Sequence, residues 1–390
     1  MKKEAMIDFK KYNSLLQKTQ RLRRDILKNL ESKKKTKPFQ IEKLKTILKN
    51  FEKFQNQKYF LKINNQKIKF SFTYEINELK KDLIFLEKGY SGLLDYFEKK
   101  YKNFSKEFNL ITKNLKNKKI DFFITDRDGT INDYCQRYNS CFQSLYNFLF
   151  VGSFTSRVKK TIILTSAPLN DFLKLILSKD KVIYAGSKGN EFLDLNGKKH
   201  LRNIPSKERK MLNLLSHRII NLLSRTKYKK FSLIGSGFQK KHGQLTISRQ
   251  DIFNSIPKNQ SQNFLKLIRN QVKNIDEEEE FFSINDTGLD IEIDLNLNHH
   301  KFDKGEGINY ILKSLKLKPE NVLVCGDTNS DLLVLKTIKK LNKKIHAIFV
   351  TKNRKLKRAV KKIYPEAKFV SNQDVLVAAF YKISNKKNGI

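Results

Sequence analysis

The chain contains little cysteine, no tryptophan and no long apolar run. Its 390 residues include only 3 cysteines, and these show no C-x-x-C spacing. This excludes a disulfide framework and favours a reducing compartment. No stretch approaches the roughly 18 consecutive apolar residues of a membrane span, and the start, MKKEAMIDFKK, lacks the apolar core of a secretory signal. We therefore expect a cytoplasmic protein with no membrane span.

Acidic residues are also scarce, because 39 Asp and Glu face 80 Lys and Arg, for a formal net charge of +41. Such an excess is found in proteins that bind nucleic acid. Here most of the cations are single lysines, and no arginine-rich or aromatic-interleaved groove is visible. We expect a lysine-rich solvated surface that attracts anionic substrates, and no nucleic-acid partner.

The first 118 residues have mainly helical periodicity. Helices are predicted over 4–31, around 41–51 and over about 75–115, and alternation over 58–74 predicts a hairpin around Asn64-Asn65. No residue in this part indicates chemistry. We predict a helical N-terminal module, either a bundle or a coiled-coil-like hairpin, that serves self-association or partner docking.

From about residue 119 onward, short apolar strands alternate with helical segments. This order is typical of a parallel sheet with crossover helices. Strands are predicted at 122–124, 161–164, 182–185, 322–325, 345–350 and 367–370, and helices at 133–150, 169–178, 304–316, 330–339, 353–363 and from 374.

The middle region interrupts this alternation with one helix and two strands, twice over. The pattern predicts a small α+β unit of two similar halves, inserted into the parallel-sheet domain. Its predicted elements are the helix 206–225, strands near 230–238 and 243–249, the helix 259–275, and strands near 280–286 and 289–296.

Two aspartates follow the apolar strand at 122–124, in the sequence DRDGT at 126–130. Asp126 and Asp128 are two residues apart, so on a strand they share one face and repel each other unless a cation lies between them. A metal-dependent active site is the favoured interpretation. The alternative is an ordinary strand end with a capping aspartate.

Further polar residues stand at predicted strand ends or helix starts: Thr165, Lys304, and Asp327 with Asp331 in GDTNSD. In an open parallel sheet, the loops beyond the strand carboxyl ends meet in one crevice. Carboxylates from two strands could hold Mg²⁺, which prefers oxygen ligands. A lysine and a hydroxyl would orient a phosphoryl group, so the set predicts metal-assisted phosphoryl transfer.

These motifs, in this order, resemble those of the haloacid dehalogenase (HAD) superfamily of phosphatases, over about residues 120–385. The resemblance implies that Asp126 is a nucleophile that forms an aspartyl-phosphate, and that Asp128 is the general acid and then the base. It further implies phosphate binding by Thr165 or Ser166 with Lys304, and Mg²⁺ binding by Asp126, Asp128 (through its carbonyl), Asp327 and Asp331.

The large insertion after Thr165 resembles the C2-type cap of trehalose-6-phosphate phosphatase. The strings YAGSKGNEFLD (184–194) and HGQLTISR (242–249) agree with it. The implied fold is a Rossmann-like α/β HAD core at 119–186 and 298–390, with an αββαββ cap at 187–297 and the helical module at 1–118. The implied substrate is a sugar phosphate monoester, trehalose 6-phosphate first, with sucrose phosphate or mannosylglycerate phosphate as alternatives.

Some residues depart from that pattern. GDTNSD differs from the usual GDDxTDED, and DRDGTIN is more typical of heptose-bisphosphate and histidinol-phosphate phosphatases, which lack this cap. A nucleic-acid-end phosphatase or nucleic-acid-binding protein is the more distant alternative. Arg127 receives no role. Polar residues that flank the strands returning to the core are candidate sugar contacts, with solvated surface positions as the alternative: Lys188, Asn190, Glu191, His242, Arg249 and Glu292.

Overall fold

The computed structural model describes residues 6–56, 60–63, 66–179, 181–296, 302–341 and 344–385. Its strands are β1 (Met6–Asp8), β2 (Phe60–Ile63), β3 (Gln66–Lys69), β4 (Phe122–Thr125), β5 (Lys160–Leu164), β6 (Ile183–Gly186), β7 (Glu191–Leu193), β8 (Lys199–Leu201), β9 (Phe238–Lys241), β10 (Gln244–Ser248), β11 (Phe282–Asp286), β12 (Asp290–Leu295), β13 (Val322–Gly326), β14 (Ile345–Val350) and β15 (Lys368–Val370). Its α-helices are α1 (Phe9–Glu31), α2 (Pro38–Asn56), α3 (Thr73–Lys100), α4 (Phe104–Leu115), α5 (Leu145–Thr155), α6 (Leu169–Leu175), α7 (Ser206–Ser224), α8 (Lys258–Lys273), α9 (Lys304–Ser314), α10 (Asn329–Leu341), α11 (Arg354–Ile363) and α12 (Gln373–Ser384). No helix among the described residues is long and apolar enough to cross a membrane.

The chain divides into two compact units. The first unit comprises Met1–Leu79, Cys135–Phe142 and Arg202–Lys301. The second comprises Lys80–Tyr134, Gln143–Leu201 and Phe302–Ile390.

The second unit is built on an eight-stranded sheet in the order β15-β14-β13-β4-β5-β6-β7-β8. The pairs from β15 to β6 are parallel, and β7 and β8 add an antiparallel edge. The central strand β4 is buried throughout, as its uninterrupted apolar sequence leads us to expect for a strand covered on both faces. The predicted parallel-sheet α/β core is confirmed.

Helices cover both faces of this sheet. Successive residues of a strand point to opposite faces, so neighbouring residues of β4 belong to different cores. Phe123 packs in a core with α3, α4, α5 and α12, and Phe122 and Ile124 pack in a second core with α9, α10 and α11. The aromatic side chains of α4 and of the second half of α3 belong to the first of these cores.

The first unit contains a four-stranded antiparallel sheet in the order β11-β12-β10-β9, together with α7 and α8. The predicted αββαββ order is therefore present. The unit also contains α1, α2 and a small sheet in which β1 pairs parallel to β2 and β2 pairs antiparallel to β3. The Asn64-Asn65 turn of the predicted hairpin lies outside the described residues.

Three predicted elements are wrong in part. The helix predicted over 133–150 begins only at Leu145. The polar, turn-favouring sequence NDYCQRYNSC at 132–141 forms only a short 3₁₀ turn at Tyr138–Ser140. The strand predicted over 230–238 is replaced by a 3₁₀ turn at Lys229–Ser232, and β9 begins at Phe238 because Gly235 and Gly237 have positive φ angles of 48° and 64°. Residues 6–8 form a strand rather than the start of α1.

The predicted domain boundaries, 1–118, 119–186 with 298–390, and 187–297, remain a prediction. The two compact units place three segments differently. Cys135–Phe142, predicted as part of the core, belongs to the first unit. The part of the N-terminal module from Lys80 onward packs in the parallel-sheet unit, and β7 and β8 extend the same sheet as far as Leu201. The predicted boundary at 297–298 lies outside the described residues.

A buried ion pair joins α3 to α12 within the second unit. Lys81 Nζ lies 3.0 and 3.1 Å from the two carboxylate oxygens of Asp374, and both side chains are fully enclosed. Tyr101 donates a hydrogen bond of 2.6 Å to the same carboxylate, and Tyr146 donates another. Burial opposes the charged form, but Lys81 and the two hydroxyls hold the pKa of Asp374 below its usual range.

We predict that Lys81→Met lowers the free energy of unfolding by about 3–5 kcal/mol, because it leaves a carboxylate buried without its cation. Lys99→Met, which removes an exposed cation from the same helix, should change it by less than about 0.5 kcal/mol. Urea denaturation measures both. Equal effects of the two substitutions would contradict a structural role for the pair.

A second buried acid lies in the first unit. Glu75 accepts a hydrogen bond of 2.6 Å from the Tyr12 hydroxyl, and it is 5% exposed. Burial raises the pKa of Glu75 to about 7, although Tyr12, Arg23 and Arg137 favour the charged form. The folded state therefore binds this proton more tightly than the unfolded chain does.

The sign of the pH dependence follows from this raised pKa. The contribution of Glu75 to the free energy of unfolding should fall as the pH rises from about 4.5 to about 7, by up to about 3 kcal/mol, and then stay constant. Glu75→Gln should remove this slope, whereas Glu31→Gln, at an exposed position, should retain it. Denaturation series between pH 4.5 and 8 give the difference, and identical profiles for both variants would refute it.

Candidate active site

The site lies at the carboxyl edge of the parallel sheet, where β4 and its neighbour β13 end. Asp126 follows β4 directly and donates its backbone N–H to the Cys325 carbonyl oxygen at 3.1 Å. Asp327 follows β13. The strand pairing therefore brings together two acidic motifs that are about 200 residues apart in the sequence.

Three carboxylates converge at this edge. Asp126, Asp327 and Asp331 each offer one oxygen, and these oxygens all lie within 4.8 Å of one another. Asp331 stands in the first turn of α10, and its Oδ2 accepts hydrogen bonds from the backbone N–H groups of Asp327 and Thr328 at 3.1 and 3.0 Å. An all-oxygen set of this kind suits a hard divalent cation such as Mg²⁺.

Lys304 connects two of the carboxylates. Its Nζ lies 2.6 Å from Asp126 Oδ1 and 2.7 Å from Asp331 Oδ1, and the side chain is 4% exposed. The lysine is the first residue of α9, a helix capped by the Asp303 side chain, which accepts N–H bonds from Gly305 and Glu306. The cap therefore determines where the lysine enters the site.

The site has more negative than positive charge, because its three carboxylates face one lysine. Burial raises the pKa of Asp126 well above its usual range, against the opposing charge of Lys304. Burial and the charge of Asp331 raise the pKa of Asp327 to about 6. Burial also acts to raise the pKa of Asp331, but the charge of Lys304 and the hydrogen bonds to the carboxylate outweigh it, so this pKa is lowered. Three acids facing one lysine favour a further cation.

Two hydroxyls orient Asp327, and sequence reasoning missed both. Thr130 donates to Asp327 Oδ1 at 2.9 Å, and Tyr134 donates to Oδ2 at 2.5 Å. Thr130 was detectable as the hydroxyl residue that closes DRDGT. Tyr134 carried no sequence signal, because it lies in the segment that we predicted to be helical.

Gly129 allows this close approach. Its φ angle is +84°, and a Cβ at this position would lie 2.3 Å from Asp327 Oδ2 and 2.4 Å from Tyr134 Cε2. A side chain would therefore be strained in its backbone and would also displace the carboxylate.

Thr165 and Ser166 follow β5, the other neighbour of β4, at the same edge of the sheet. Thr165 is buried, and its hydroxyl accepts the Ala167 N–H at 3.3 Å rather than reaching the carboxylates. The position agrees with a phosphate contact, but which of the two residues makes it remains a prediction.

The three candidate sugar contacts that follow β6 belong to the parallel-sheet unit. Lys188 has a φ angle of +59° and donates its N–H to the Thr165 carbonyl at 3.0 Å. Asn190 donates to Ser187 O at 3.1 Å. Glu191 accepts from Leu169 N–H at 2.9 Å and from the Ser187 hydroxyl at 2.7 Å, which ties the start of α6 to this turn.

The other three candidates lie in the first unit. The Nε2 of His242 lies 2.6 Å from Arg202 O. Arg249 donates to both carboxylate oxygens of Asp286, at 2.7 and 3.0 Å. Glu292 accepts from Asn285 at 3.2 Å. A role in substrate binding remains a prediction for all six candidates.

Comparison with known proteins agrees with this geometry. A family model described as "Trehalose-6-phosphate phosphatase, C-terminal" matches residues 123–376, and one described as "Trehalose-6-phosphate phosphatase N-terminal helical bundle domain" matches residues 8–104.

The matches to individual relatives cover different shares of those proteins. A trehalose-phosphatase of Caenorhabditis elegans is 30% identical over 282 residues, which is 68% of this chain and 64% of that protein. An alpha,alpha-trehalose-phosphate synthase of Aphelenchoides avenae is 32% identical over 253 residues, 63% of this chain but 22% of that protein. The chain thus spans about a fifth of the synthase and somewhat under two thirds of the phosphatase.

A solved structure shows a similar fold. The C-terminal domain of the C. albicans trehalose-6-phosphate phosphatase superposes with a TM-score of 0.50 at 14% identity, and the match covers 71% of this chain and 96% of that domain.

We predict that Gly129→Ala destabilises the protein more than Gly197→Ala does. Both glycines have positive φ, but a Cβ at Gly197 meets nothing within 4 Å. Each alanine should cost about 1–2 kcal/mol of unfolding free energy through its backbone, and Gly129→Ala a further 1–3 kcal/mol, roughly, through crowding. Urea denaturation measures the difference. Equal losses would mean that the contact with Asp327 is easily relieved.

Proposed function

The chain belongs to the trehalose-6-phosphate phosphatase family, and from this premise we propose that it is a Mg²⁺-dependent phosphatase that releases inorganic phosphate from trehalose 6-phosphate. The observation that carries the proposal is the convergence of Asp126, Asp327 and Asp331 with Lys304 at the carboxyl edge of the sheet. Phosphoryl transfer requires a nucleophile, a means of neutralising charge and a proton donor, and in this proposal residues at this edge take all three roles.

Asp126 is the nucleophile in this proposal. Its carboxylate oxygen forms a bond to phosphorus as the bond from phosphorus to the sugar oxygen breaks. Lys304 holds Asp126 Oδ1 at 2.6 Å and so limits the rotation of the attacking group. The lysine also compensates charge on the transferring phosphoryl group, together with a hydroxyl of Thr165 or Ser166.

Asp128 transfers the proton. It gives a proton to the leaving sugar oxygen in the first step, and it takes one from water as the water oxygen attacks the aspartyl-phosphate. The second step breaks the bond between phosphorus and Asp126, and so restores the free carboxylate. General acid–base help of this kind contributes about 10²–10⁴-fold to a rate.

The donor set fits Mg²⁺, because the three convergent ligands are carboxylates and because the cluster is negative beyond what Lys304 compensates. Asp126, Asp327 and Asp331 would hold the ion, with Asp128 contributing its carbonyl. A bound Mg²⁺ would supply positive charge to offset that of the carboxylates and of the phosphoryl group. Thr130 and Tyr134 orient Asp327 for this role.

The test is phosphate release from trehalose 6-phosphate by the full chain in Mg²⁺. Asp126→Asn should lower the rate by at least about 10³-fold, because the amide is a poor nucleophile. Asp95→Asn, which changes an exposed aspartate of α3, should leave the rate unchanged, and removal of Mg²⁺ by a chelator should abolish it reversibly.

Two results would count against the proposal in different ways. If Asp126→Asn were as active as the wild type, Asp126 would not be the nucleophile. Release of phosphate from other sugar phosphates but not from trehalose 6-phosphate would refute the substrate and leave the chemistry standing.

A further inference from the structure

Arg127 stands between the two acids of the DRD sequence, and its side chain is buried. Its Nη1 lies 2.6 Å from Asp128 Oδ1, and 3% of the arginine side chain is exposed. Burial of a guanidinium is unfavourable unless it is paired with an anion. The contact therefore ties the orientation of the Asp128 carboxylate to a cation whose own position is determined by packing.

The contact depends on a turn in the backbone. Adjacent side chains of a strand point to opposite faces, so Arg127 could not reach Asp128 if β4 continued. The strand ends at Thr125, and the Arg127 carbonyl accepts the N–H groups of Thr130, Ile131 and Asn132 at 3.3, 3.0 and 2.9 Å. These three hydrogen bonds to one carbonyl fix the loop, and the side chains of Arg127 and Asp128 then lie on the same side of it.

Packing holds the guanidinium in place. Its central carbon lies 5.7 Å from the centroid of the Phe172 ring, within the range of a cation–π contact. Arg127 also lines a small cavity of about 30 Å³ with apolar neighbours that include Ile131, Phe172 and Val182. Because only 3% of the arginine side chain is exposed among these neighbours, it has little freedom to move.

We propose that Arg127 is a positioning residue that aims the Asp128 carboxylate for proton transfer. The inference rests on the proposed phosphatase function. With the carboxylate oriented by the guanidinium, Asp128 carries the proton that is transferred. That proton goes to the leaving oxygen as the Asp126–phosphorus bond forms and the phosphorus–leaving-group bond breaks, and a proton from water returns to Asp128 in the second step.

A positioning role predicts an effect that depends on the leaving group. A sugar alkoxide leaves with difficulty and needs the proton, whereas p-nitrophenolate leaves readily without one. Loss of Arg127 should therefore slow the sugar phosphate much more than p-nitrophenyl phosphate. Loss of a residue that only supports folding should slow both esters equally.

The experiment compares kcat/KM of the full-length chain in Mg²⁺ for trehalose 6-phosphate and p-nitrophenyl phosphate. Arg127→Met should lower the first by about 10–100-fold and the second by less than about threefold. Arg127→Lys keeps the charge and should recover part of the difference. Arg157→Met, which removes an exposed arginine of the same unit, should leave the ratio of the two values unchanged.

Each outcome decides the matter. An equal fall for both esters, or no fall, overturns the role of Arg127 but not the phosphatase. A wild type that hydrolyses neither ester overturns the proposed function and this inference with it. If the wild type hydrolyses only p-nitrophenyl phosphate, the sugar substrate is refuted, and phenyl phosphate replaces it as the ester with the poor leaving group.

If Arg127→Met does not fold, the test uses Arg127→Lys and Phe172→Leu. A smaller loss, selective for the ester with the poor leaving group, is expected from each.

Discussion

The contact of Lys304 with Asp126 and Asp331 is the interaction on which the site depends. Three carboxylates within 4.8 Å, two of them buried and that of Asp327 half-buried, would repel one another strongly in a water-poor environment. The lysine, at 2.6 and 2.7 Å from two of them, offsets part of that repulsion. It leaves enough negative charge for a divalent cation. The burial that raises the pKa of Asp126 and Asp327 is thus tolerated because of one cation from α9.

The parallel sheet makes this convergence possible. Because β4 lies between β13 and β5, three loops that are distant in sequence leave the sheet side by side. The strands themselves are apolar and buried on both faces, so polar residues are confined to the ends where the chain turns. The site residues lie at this edge because the side chains along the rest of the sheet pack in the two hydrophobic cores.

The same reasoning explains which predictions failed. The parallel alternation and the αββαββ order were readable because hydrophobic periodicity extends over whole elements. The helix predicted to start at 133 failed because the apolar spacing of Tyr134 and Tyr138 imitated a helical face. In the structure the Tyr134 hydroxyl instead bonds Asp327. Spacing cannot reveal where a side chain goes when its partner is 193 residues away.

The sequence by itself determined the order of strands and helices and the acidic motifs at the strand ends, because local periodicity and turn chemistry depend on neighbouring residues. It also identified Asp126, Lys304, Asp327 and Asp331 as members of one site. Only the tertiary structure decided how these residues meet, which hydroxyls orient Asp327, and why Arg127 stands between two acids. Those features arise from contacts across the sheet edge and from the turn after β4, and no local pattern in the sequence encodes such contacts.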